Sequence, residues 1–174
     1  MIRSFNGKTP KIAESAWVSE AAYVVGDIEI GENSSVWPGT VIRGDLASIK
    51  IGNHTTIQDN CVVHSGSPYN PPGDSVIGDN VHIGHGAVIN SRKIGSNVLI
   101  GMNATLLHDA EIGDFCIIAG GCVIMRATKI PDRSFVAGVP GRIIGQATAK
   151  QLEWTQHGPV TYGNLARQYK EQGL

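Results

Sequence analysis

An aliphatic residue recurs at every sixth position over most of this chain, an interval that matches neither of the regular periods open to a polypeptide. From Ile12 the series runs through Val18, Val24, Ile30, Val36 and Ile42. It resumes three residues late as Ile51, Ile57 and Val63, and after a longer interruption as Ile77, Ile83 and Ile89. One residue early, it continues as Ile94, Ile100, Leu106, Ile112, Ile118, Ile124, Ile130 and Val136. A helix repeats its apolar face near 3.6 residues and a strand near 2, so a spacing of six describes a short strand followed by a corner. Three such units make a coil of 18 residues, the separation of Ile94 from Ile112 and of Ile112 from Ile130. The expectation is an all-β chain wound as a parallel β-helix, a triangular prism of about seven coils stacked ~4.8 Å apart.

Four residues past each marker the side chain is usually small, as at Ala16, Ser34, Thr55, Cys61, Ala87, Ala104, Cys116 and Cys122, which suits the inside of a tight corner. The three cysteines therefore read as packing residues, and no CxxC pair points to a disulfide or a metal finger. Glycine, at 22 of 174 residues, is well above the average share and fits a chain that turns constantly. The prism is expected over residues 1–145. In 146–174 the glycines thin out and Leu152, Trp154, Leu165 and Tyr169 stand among charged and amide residues. That pattern predicts an amphipathic helical tail, broken at Gly158-Pro159, that covers the prism's flank or its open end.

Fourteen basic residues against fifteen acidic leave a formal net charge of −1, so no overall field attracts phosphate backbones or anionic lipid. Nucleic-acid and membrane partners are not expected. No apolar run approaches the ~20 residues that span a bilayer, and the first residues lack a secretory segment, so the chain reads as soluble and cytoplasmic.

Regular coils turn sequence spacing into geometry, because equal offsets on successive coils stack in columns. One residue past the third-side markers stand Arg43, His64 and Asn90, which should share a column. Past the second-side markers come Gln58-Asp59 on one coil and Gly84-His85 on the next. Two interruptions fall in the same stretch, at Ser48 to Lys50 and in the loop from Ser65 to about Ser75. Loops that break a rigid scaffold beside clustered polar groups are common places for function, although Asn and Asp also serve as ordinary corner residues.

The hexapeptide series together with Ile42-Arg43-Gly44-Asp45, Ile57-Gln58-Asp59-Asn60-Cys61-Val62-Val63-His64 and Ile83-Gly84-His85 resembles the gamma-class carbonic anhydrases and their ferripyochelin-binding-protein-like homologues, from about Lys8 to Arg142 and on through Leu152-Glu153-Trp154-Thr155. The resemblance implies a left-handed β-helix that assembles as a homotrimer and catalyses the reversible hydration of carbon dioxide to bicarbonate. It implies one metal ion, zinc or alternatively iron or cobalt, at each subunit interface. Its ligands would be His64 and residue 90 of one subunit and His85 of the neighbour. Gln58 would match the residue that hydrogen-bonds the hydroxide or bicarbonate, and Arg43, Asp45 and Asp59 the set that links subunits and orders the site.

Residue 90 departs from the pattern, since complete members of the family carry histidine there and this chain carries Asn90. Imidazole is a strong zinc ligand and an amide oxygen a poor one, so the metal is expected to be held weakly or to be absent. The family's proton-shuttling glutamate also lacks a counterpart, because the 65 to 75 loop holds Asp74 and no Glu. Of the other histidines, His82 is expected to point away from His85, His108 to fall one place out of register, and His54 and His157 to be surface or packing residues. Two readings compete with hydration. One is a non-catalytic trimeric scaffold that keeps Arg43, Asp45, Gln58 and Asp59 as structural residues. The other is a coenzyme A-dependent acyltransferase using His64 or His85 as general base.

Overall fold

The computed structural model describes residues 1–66 and 73–174, and it winds residues up to Val136 into a parallel β-solenoid of about seven turns. Most strands are two residues long, and each pairs in parallel with the strand one coil above and one coil below, as Ile94 with Ile77 on one side and Ile112 on the other. The three faces are those the six-residue series marks out. One stacks Ile12, Ile30, Ile51, Ile77, Ile94, Ile112 and Ile130. The second stacks Val18, Val36, Ile57, Ile83, Ile100, Ile118 and Val136, and the third Val24, Ile42, Val63, Ile89, Leu106 and Ile124. These side chains fill the prism as one continuous core, with only Ile12 and Val18, on the opening coil, partly exposed.

The small residues of the series line the inside of the corners, and their polar atoms tie successive coils together. Ser34 Oγ donates to the Gly52 carbonyl at 2.7 Å, Thr40 Oγ1 to Gln58 at 2.6 Å and Thr55 Oγ1 to Gly78 at 2.8 Å. Each hydroxyl thereby satisfies a carbonyl that a corner would otherwise leave buried and unpaired. All three cysteines are buried and unpaired with one another, and Cys61 Sγ occupies the same niche, 3.2 Å from the Gly84 carbonyl. Burial pushes the Cys61 thiol up to about 11, so it behaves as a packing group. The turn itself is made three residues past the marker, where Asn33, Asn60, Asn80, Asn97 and Asn103 take positive φ, a conformation Asn tolerates better than most residues.

Residues Ala149–Glu171 form helix α1, capped by Thr148 and Gln151 in a reciprocal capping box. The expected break at Gly158-Pro159 does not occur: the helix continues through both residues. Tertiary packing overrides the local cost of proline. α1 lies along the second face, where Trp17, Trp37 and Ala166 are buried with Tyr162, Leu165 and Tyr169 packed against them. Trp37 meets Trp17, Tyr162 and Tyr169 edge to face at ring separations of 4.9, 5.4 and 5.3 Å. The tail starts beyond the last coil, after strand Arg142–Gln146 pairs antiparallel with Ser134–Ala137. It ends beside the first, where the Trp17 indole N–H donates to the Leu174 carbonyl at 2.9 Å. Of the residues expected on its apolar side, the Trp154 side chain lies outside the described groups.

The outward rows of the three faces differ in chemistry. On the first, Lys11, Glu29, Lys50, Val76, Lys93, Glu111 and Lys129 form a column, charged except at Val76, with ion pairs at Lys11–Glu29 (3.5 Å), Lys50–Glu29 (3.8 Å) and Lys129–Glu111 (3.2 Å). The second is covered by α1. The third presents Tyr23, Val41, Val62 and Val88, one aromatic and three aliphatic side chains with no element over them among the described residues. No helix here is long and apolar enough to cross a membrane.

Candidate metal site

The third face aligns the residues of one half of the site. The long strand Val41–Ile51 pairs Arg43 with His64, and the next rung pairs Val63 with Ile89, which sets Asn90 beside His64. The Asn90 Nδ2 donates to the His64 backbone carbonyl at 2.7 Å. Both imidazole nitrogens of His64 are engaged: Nε2 lies 3.0 Å from Asp45 Oδ1 and Nδ1 lies 3.3 Å from Arg43 Nη2. Arg43 Nη1 closes the triangle on Asp45 Oδ2 at 2.6 Å. Partial burial pushes the Asp45 carboxyl upward, but hydrogen bonds from Arg43 and His64 and the charge of Arg43 outweigh it and hold the group below the usual carboxylate value.

The other half sits at the corner between the second and third faces. His85 Nδ1 lies 2.8 Å from Asp59 Oδ2, and the His85 backbone N–H donates to Gln58 Oε1 at 3.1 Å. Gln58 is almost fully buried, and its amide oxygen is spent on this contact, so Nε2 is the group it has left to offer. A carboxylate on Nδ1 fixes the tautomer that leaves the His85 Nε2 lone pair available to a cation. Asp45 and Asp59, expected to act as one set, therefore serve different histidines.

His82 is not turned away from His85 as expected. It precedes inward-facing Ile83, so it faces outward on the second face, and both imidazoles line one cavity of about 390 Å³ beneath α1. The remaining walls include Gln58, Leu99, Ile100, Met102, His157, Gly158, Thr161 and Tyr162. His82 stands edge to face with Tyr162 at 5.2 Å, and its buried Nδ1 has no hydrogen-bond partner. Burial, helped by His85, pushes its pKa down to about 4, so it is neutral at pH 7. His157 borders this cavity while its Nδ1–H donates to the Glu153 carbonyl at 2.7 Å. His108 edges a small crevice with Asn90, and exposed His54 makes a positive-φ turn. Sequence reasoning missed the cavity because it broke the helix that roofs it; the signal was that His82 shares an outward row with Trp17.

Of the interrupting loop, residues 67–72 lie outside the described residues. Its ends are anchored to the coil above, with Ser65 Oγ donating to Ala47 at 2.7 Å and Asp74 Oδ1 accepting from the Ser48 N–H and hydroxyl at 2.9 and 2.8 Å. Among the described residues of one chain, no three His, Cys, Asp or Glu side chains converge as a metal-binding group. The donors fit a metal only in part. His85 presents a free nitrogen on a carboxylate-held ring, whereas His64 must release Asp45 or Arg43, and Asn90 has only its amide oxygen to give.

His82 also makes stability depend on pH. The native ring resists protonation until about pH 4, whereas the unfolded ring takes a proton near 6.5, so stability falls as pH drops between those values and is unaffected above them. Melting temperatures measured from pH 8 to pH 4 should decline below pH 6.5, and His82→Asn should flatten that part of the decline.

A parallel prism built from six-residue repeats, carrying imidazoles on a corner and an adjoining face, defines a hexapeptide-repeat protein. Over residues 8–157 the chain matches the family described as dynactin subunit 5. It is 43% identical over 155 residues to a Methanocaldococcus jannaschii protein named "Probable carbonic anhydrase", covering 89% of this chain and 95% of that one. It is 35% identical over 166 residues to mitochondrial gamma carbonic anhydrase 1 of Arabidopsis thaliana, covering 92% of this chain and 59% of the relative. The crystal structure of a hexapeptide transferase family protein from Anaplasma phagocytophilum superposes with a TM-score of 0.90 at 31% identity, over 97% of each chain. The chain belongs to the family of that description and to the gamma-carbonic-anhydrase-like group of hexapeptide-repeat proteins.

Proposed function

We propose that this chain is a carbonic anhydrase of reduced activity. It works as a homotrimer in which His64 and Asn90 of one copy and His85 of the next share a zinc, iron or cobalt ion. The single observation that carries the reading is the His85 ring, held by Asp59 so that Nε2 is left for a cation. A bound metal would supply hydroxide at neutral pH for attack on carbon dioxide. The chain's own contribution is positional: Asp59 orients His85, Asp45 and Arg43 orient His64, and Gln58 Nε2 donates to an oxygen of the reacting species. The trimer rests on the third face, whose row includes Tyr23, Val62 and Val88 at 37%, 38% and 37% exposure beside His64 and Asn90. Solvated charges and α1 occupy the other two faces, which leaves this one to meet another copy.

A second reading, a trimeric scaffold without catalysis, is favoured by the engagement of both His64 nitrogens and by the Asn90 to His64 bond. Stopped-flow carbon dioxide hydration, paired with elemental analysis of the same preparation, separates the two. Hydration above the buffer rate with up to one metal per subunit supports the enzyme. A trimer with neither, even after reconstitution, is the scaffold.

A further inference from the structure

The cavity beneath α1 gathers uncharged nitrogen and sulfur donors. The imidazoles of His82, His85 and His157 and the thioether of Met102 line it, and among the described residues its lining contains no carboxylate, no lysine and no arginine. Its other polar groups, on Gln58, Thr161 and Tyr162, are neutral as well. His85 and Met102 both stand two residues past paired markers, Ile83 and Ile100, which sets them side by side on neighbouring coils. His157 reaches the same space from α1. Asp59 Oδ2 lies 2.8 Å from His85 Nδ1, and His157 Nδ1–H donates to the Glu153 carbonyl at 2.7 Å, so each ring keeps its proton on Nδ1 and its lone pair on Nε2. An outer hydrogen bond of this kind is what a metal-ligating histidine ordinarily carries. His82 is the ring left out: its Nδ1 abuts Gly158, where an added methyl would stand 2.0 Å away, and it packs edge to face on Tyr162.

Two imidazoles and a thioether are soft, neutral donors. Calcium and magnesium ask for oxygen, and zinc in proteins is held by thiolate, imidazole and carboxylate. Thioether sulfur selects copper(I), whose single charge suits a lining that offers no carboxylate to offset a second.

We propose that this cavity binds one copper(I) ion, held by His85 Nε2, His157 Nε2 and Met102 Sδ of a single chain. The site borrows His85 from the hydration reading, but Met102 and His157 take no part there, so each can fail without the other. The probe is copper(I) itself, kept reduced with ascorbate under argon and titrated into the metal-free full chain against bicinchoninate, with zinc as the comparison ion. One copper(I) per chain is expected, with a sulfur neighbour in its X-ray absorption spectrum. Met102→Leu should remove that sulfur and weaken copper(I) at least tenfold while leaving zinc affinity unchanged, and His157→Gln should weaken copper(I) to a similar degree. Met102, at 59% exposure, and exposed His157 can change without disturbing the core, and melting temperatures confirm that the variants are folded. Absence of saturable copper(I) binding, indifference to either substitution, or a sulfur signal that survives Met102→Leu, as binding at a cysteine would give, would overturn the proposal.

Discussion

Asn90→His should raise zinc affinity by at least about tenfold, because an imidazole replaces an amide oxygen as the third donor. The substitution also removes the Asn90 hydrogen bond to the His64 carbonyl, a local cost of about 1 kcal/mol that the intact coil can absorb. Affinity is read by competition with a chromogenic chelator, and hydration by stopped flow on the same samples. A parallel rise in both ties the metal to the chemistry. If neither changes while the trimer persists, the two halves of the site do not meet across the seam, and the scaffold reading stands.

Gly158→Ala should destabilise the protein by about 1 to 3 kcal/mol, the cost of overpacking, although glycine to alanine inside a helix ordinarily gains about 1 kcal/mol. A methyl at this position would lie 2.0 Å from His82 Nδ1, so the imidazole must shift from its edge-to-face seat on Tyr162 to admit it. The contact is testable as a double-mutant cycle by denaturant unfolding. His82→Ala should make Gly158→Ala neutral or stabilising, and additive losses would mean that glycine is needed there for another reason.

Much of this architecture is legible in the residues because a solenoid contacts itself locally. The offset of a side chain from its marker fixes its face and whether it points in or out, so the column of Arg43, His64 and Asn90 follows from counting. The same arithmetic places all three cysteines inside. What counting does not reach is the contact between elements of different kinds. Gly158-Pro159 disfavours helix locally and so predicts a break, yet Trp17 and Trp37 are fixed by the coils and their aromatic seat packs against a helix that continues through both residues. The orientation of His82 was misjudged for the same reason, since only the helix reveals that its outward row is covered. Which atoms of His64 are engaged, and that Gln58 spends its oxygen on His85, depend on rotamers that no pattern of spacing encodes.

A stack of coils in which each touches only its neighbours would be free to fray from either end, much as a spring can lose a turn without disturbing the next. Helix α1 removes that freedom. Its 23 residues extend about 35 Å at 1.5 Å each, a span comparable to the height of about seven coils at ~4.8 Å, and it runs from beside the last coil back to Trp17 on the first. The final segment of the chain is therefore a clasp that can close only after every turn is in place, and it couples the two ends of the prism into one cooperative unit.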